Sequence, residues 1–76
     1  MSDEQADMVE GLRKEVAGYV AMHSRLGTPT TFEEALRGHR RICQENLRDE
    51  GEYGASVWSA RLTAIDTLAW QEGIKL

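Results

Sequence analysis

Leu26-Gly27-Thr28-Pro29-Thr30-Thr31-Phe32-Glu33-Glu34 is the stretch that decides how this chain folds. Gly27 accepts the left-handed backbone that closes a helix, and Pro29 lacks the N–H needed to continue one. One helix therefore ends here. Thr31 then offers a hydroxyl to the backbone of the next turn, with Glu34 three residues on to reach back, the pattern of a capping box. A second helix starts at once.

Upstream, a first helix is predicted over 3–26. Ser2 serves as N-cap, Gln5 stands in the capping-box position, and Asp3, Glu4 and Asp7 lie near the positive end of the helix dipole. Val9, Leu12, Val16, Tyr19 and Leu26 recur at helical spacing, with His23 in register, and predict one core-facing stripe. Gly11 and Gly18 lie on another face. Each costs about 1 kcal/mol relative to Ala inside a helix, so either another backbone approaches them or the helix is soft.

Downstream, a second helix is predicted over 32–49, with Phe32, Leu36, His39, Cys43 and Leu47 in register and Ala35 and Ile42 alongside. Gly38 interrupts this thin apolar face, which therefore needs neighbours to stay folded. Asp49-Glu50-Gly51-Glu52-Tyr53-Gly54-Ala55-Ser56 reads as a second joint, with Ser56 as N-cap. A third helix follows over 57–72. Trp58, Leu62, Ile65 and Ala69 form its core side, Val57, Ala64 and Leu68 widen the stripe, and Gly73 terminates it. Nothing alternates with period two for long enough to predict a strand. The expected fold is all-α, a small up-and-down three-helix bundle forming one domain over 1–76.

Composition narrows the class. The chain has 76 residues and a net charge of −4, and Leu, Ile, Val and Phe make up 15 of its residues. A core of that size gives modest stability, so association into a larger helical oligomer, with a dimer favoured, is expected. The single Cys43 rules out an internal disulfide, and the acidic opening Met1-Ser2-Asp3-Glu4 is unlike a secretory signal. The expected location is cytoplasmic. No stretch approaches the roughly 20 apolar residues that span a bilayer, so no membrane partner is expected.

Three groups of residues invite a functional reading. His39 and Cys43 stand one turn apart, and His23 offers a third ligand. The paired Cys or His motifs of structural zinc sites are missing, buried Cys and His are ordinary core residues, and no third group orients a thiol nucleophile, so no metal, cofactor or catalytic role is assigned. Between Leu36 and Arg48 of the second helix, Arg37, Arg40, Arg41 and Arg48 stand against one acid, Glu45. Such a face is able to lie along phosphates, but Glu33 and Glu45 stand one turn from Arg37 and Arg41, as in ordinary surface ion pairs, and the acidic start of the first helix offers further partners.

The third group is apolar. Trp70 falls with Thr63, Asp66 and Thr67 on the polar side of the third helix, and Ile74 and Leu76 add apolar surface nearby. Either the tail packs onto its own helix or, since exposed apolar clusters on small soluble chains often mark interfaces, this surface meets a partner or a second subunit, the reading preferred. Trp70, Ile74, Leu76 and Tyr53 are therefore the expected partner-binding residues, and the expected function is a small protein-interaction module, an adaptor, inhibitor or accessory subunit, acting as a homo-oligomer. The alternative is a nucleic-acid-binding regulator that uses the four arginines.

Overall fold

In the computed structural model, which describes residues 3–51 and 54–76, three helices follow one another: α1 (Asp3–Arg25), α2 (Phe32–Glu50) and α3 (Ala55–Glu72). They form a three-helix bundle with every pair of helices in contact. The expected Ser2 cap lies outside the described residues.

The first joint forms for the reasons its sequence gives. Gly27 takes φ 79°, its N–H donates to the Ser24 carbonyl at 3.3 Å, and the Thr28 N–H donates to the His23 carbonyl at 3.0 Å. This pair of bonds is a Schellman motif, which satisfies carbonyls that the end of a helix leaves unpaired. Thr31 Oγ1 then accepts from the Glu34 N–H at 3.1 Å and caps α2. The box closes differently from expectation: the Glu34 carboxylate accepts from Thr30 Oγ1 at 3.2 Å.

The turn sends α2 back along α1, and the second joint sends α3 back along α2. Cross-links between α2 and α3 record that antiparallel course, with Glu50 meeting Trp58, Arg40 meeting Asp66, and Arg37 reaching Lys75 beyond the end of α3. The core that results is small. Val9, Leu12 and Val16 of α1 meet Leu36 and Cys43 of α2 and Ala64, Ile65, Leu68 and Ala69 of α3. Burying each of the larger aliphatic side chains contributes about 1.5–3 kcal/mol.

The predicted stripes need trimming. Tyr19 and Leu26 are 47% and 68% exposed, because Tyr19 sits roughly 60° round the helix from Val16 at 3.6 residues per turn and Leu26 lies beyond the last turn of α1. Ile42 and Val57 are likewise exposed, leaving Leu36 and Cys43 as the buried residues of α2. Gly11 and Gly18 face open space, with nothing within 4 Å of where a Cβ would stand. No backbone approaches them, which overturns that of their two readings.

The second joint is tighter than expected. α3 begins at Ala55, so Ser56 lies inside the helix, and Gly54 holds the N-cap position without a side-chain bond. The Trp58 N–H donates to the Gly54 carbonyl at 3.0 Å, and the Trp58 indole N–H donates to Glu50 Oε2 at 2.7 Å. These two bonds anchor the first turn of α3 without a hydroxyl. At the far end Gly73 takes φ 70°, its N–H donates to the Trp70 carbonyl, and the Ile74 N–H donates to the Ala69 carbonyl at 2.8 Å, a second Schellman motif. Among the described residues, no helix is long and apolar enough to cross a membrane.

Candidate partner-binding surface

Of the four residues expected to bind a partner, the three that are described, Trp70, Ile74 and Leu76, stand apart from one another. Trp70 stands on the outer side of α3, 83% exposed. Ile74 folds the other way: as the residue after the Gly73 turn it packs, half-buried, against the core, the hydrophobic contact that usually accompanies this motif. Ile74 is therefore mainly part of the fold. Leu76 is exposed and borders a hollow that it shares with Arg37, Arg40, Arg41 and Gln44. Tyr53 lies outside the described residues.

The tail reaches that hollow because Arg37 holds it there. The Arg37 guanidinium donates to the Lys75 carbonyl from Nη2 at 2.8 Å and from Nε at 3.3 Å, and it pairs with Glu33 one turn back. Arg40 pairs with Asp66 of α3 at 3.2 Å. Asp66 is one helical turn before Trp70 on α3, so this ion pair lies within a turn of the tryptophan. The apolar tail and the arginines, separate groups in the sequence, are neighbours in the fold.

Arg48 lies 3.5 Å from Asp49 at the end of α2. Arg41 has no acid within ion-pair distance among the described residues, and the Glu45 expected to pair with it does not. The acidic start of α1 does not meet the α2 arginines either. Glu10 pairs with Arg13 of its own helix, and Arg13 extends to Glu72 and Gln71 at the end of α3.

Next to Trp70, α3 spends its hydroxyls on itself. Thr63 Oγ1 donates to the Ser59 carbonyl at 3.0 Å, and Thr67 Oγ1 donates to the Thr63 carbonyl at 2.9 Å. Both donors are satisfied within the helix, which lowers the cost of excluding water from the ground beside the indole.

The His and Cys residues serve the interior and the joints. His23 Nδ1 lies 3.0 Å from Thr28 Oγ1, and its ring leans on Tyr19, tilted by 41° with the centroids 4.2 Å apart, so it braces the first joint. Cys43 is fully buried. Burial pushes its thiol above the ordinary value of 9.0, against the opposing pull of the Arg61 guanidinium, so the sulfur is a neutral core atom at physiological pH. Arg61 Nη1 lies 3.5 Å from His39 Nε2, and its guanidinium stands 5.8 Å from the centre of the Trp58 ring. Among the described residues, no three His, Cys, Asp or Glu side chains converge to hold a metal ion.

Sequence reasoning missed the Glu50–Trp58 bond and the inward role of Arg61. A heptad-type wheel places Arg61 close to the α3 core stripe, which was the available signal. No family model matches this chain, and neither a curated protein nor a solved structure matches it.

Proposed function

We propose that this chain is a small protein-interaction module, an adaptor, inhibitor or accessory subunit, that engages a protein partner through the α3 face around Trp70. The exposure of Trp70 carries the reading. An indole is among the largest apolar side chains and is enriched at the energetic centres of protein interfaces, so holding one out in water costs free energy that a partner's surface recovers. The neighbouring Arg40–Asp66 pair supplies a polar rim, and the satisfied hydroxyls of Thr63 and Thr67 leave no donor to be stranded on docking.

Self-association into a homodimer belongs to the same proposal, because the core is small for a chain that must stand alone. Affinity capture from the source cell with wild-type protein and Trp70→Ala in parallel, alongside mass determination in solution, tests it. The proposal expects a protein that wild type retains and Trp70→Ala loses. Equal capture by both proteins refutes it.

A further inference from the structure

A groove of about 210 Å³ runs between α1 and α2, on a different part of the bundle from Trp70. Tyr19, Ala35, Gly38 and Ile42 give it an apolar floor, Glu15 and Glu34 stand on its α1 and α2 sides, and His39 also lines it. Tyr19 and Ile42 are about half exposed, so the floor is open to solvent. Neither carboxylate has a cation within ion-pair distance among the described residues; Glu34 accepts only from the neutral Thr30 hydroxyl.

We infer that this groove receives an arginine side chain from a basic segment of a protein partner. The volume decides the class of occupant. Small-molecule and cofactor sites span about 300–1,000 Å³, so a groove of 210 Å³ is too small for most of them and suits a single long side chain. Charge decides which side chain. Two carboxylates on opposite helices, flanking an apolar floor, complement a residue with an apolar stem and a cationic head. Arginine fits better than lysine because its planar guanidinium bonds a carboxylate in a fork and stacks on an aromatic face, here that of Tyr19. Gly38 keeps the floor low, since nothing lies within 4 Å of where its Cβ would be.

That same open space supplies a variant that fills the groove without disturbing the core, Gly38→Met. The test is an amide-resonance titration of the full chain with a short helical peptide of leucine and arginine, and with a peptide of the same pattern in which glutamine replaces arginine. The leucine–arginine peptide is expected to shift the amides of Tyr19, Gly38 and Ile42 saturably. Gly38→Met, with its melting temperature retained, and Glu15→Gln combined with Glu34→Gln are each expected to weaken that binding by about tenfold or more, the order of one lost charge-assisted contact.

Trp70→Ala is expected to leave it within about twofold, since the two surfaces are separate, so this inference and the Trp70 proposal stand or fall independently. Three results overturn the inference. They are equal binding of the glutamine peptide, undiminished binding to Gly38→Met, or concentration-dependent shifts of the same amides without peptide, which would make a second copy of the chain the occupant.

Discussion

The indole of Trp58 and the carboxylate of Glu50 clasp the second joint, with Nε1 donating to Oε2 at 2.7 Å across the turn between α2 and α3. The clasp depends on Gly54. A Cβ there would overlap Glu50 Oε2 and stand 2.9 Å from Trp58 Cδ1, and although the carboxylate is able to swing aside, it can do so only by giving up the indole. Gly54→Ala is expected to destabilise the fold by about 1 kcal/mol, the net worth of one such hydrogen bond, and alanine is also the weaker residue at an N-cap. Chemical denaturation measures it. Glu50→Ala should show a similar loss, and the double variant should lose little more than either alone.

Gly11 and Gly18 predict the opposite sign. Both lie inside α1 with open space at the Cβ position, so alanine pays no steric penalty and restricts the unfolded chain. Each change to Ala is expected to stabilise the protein by about 0.5–1 kcal/mol, read as a raised denaturation midpoint with an unchanged slope.

Cys43 predicts a dependence on alkaline pH. Its folded-state pKa lies above the unfolded value of 9.0, because burial penalises the thiolate. Below pH 9 both states hold the proton and the thiol contributes its full stabilisation. As pH rises above 9 the unfolded chain releases the proton while the folded one keeps it, so stability falls. Denaturation curves at pH 7 and pH 10 should show a larger loss for wild type than for Cys43→Ala. A thiol reagent at neutral pH should label Cys43 only as fast as the protein opens.

The arginine row predicts weak, shallow binding to nucleic acid. Arg37 is committed to Glu33 and the Lys75 carbonyl, and Arg40 to Asp66, which leaves Arg41 as the cation of the row without an ion pair among the described residues. Each phosphate neutralised contributes a slope of about −0.9 in log affinity against log salt on duplex DNA. Fluorescence anisotropy is expected to give a slope no steeper than about −2, counting Arg41 and the exposed Arg48. A slope of −4 or steeper would show that all four arginines engage phosphate.

Much of the architecture was legible because it is punctuated locally. Gly27, Thr31 and Gly73 each act through bonds to residues within one turn, and such signals survive any tertiary arrangement. The second joint was harder, since the start of α3 is fixed by Glu50 and Trp58 meeting across the turn, whereas Ser56 looked like a cap by residue type alone. The surface was harder still. Spacing placed Trp70 opposite the core correctly, but Ile74 follows a left-handed glycine that turns the chain back onto the bundle, which its nearness to Trp70 in the sequence did not reveal. The groove at Gly38 was invisible because it is a gap between two helices, and the periodicity of either helix describes only its own face.

The central claim is that the α3 face around Trp70 meets a protein partner, and photo-crosslinking in the source cell tests it most directly. A benzophenone side chain replaces the exposed Thr63, two turns before Trp70 on the same face of α3, in one strain and the exposed Ala17 of α1 in another, with Trp70 kept in both. The account predicts a discrete protein adduct from position 63 and none of that mass from position 17. No adduct at position 63, or the same adducts at both positions, would contradict it.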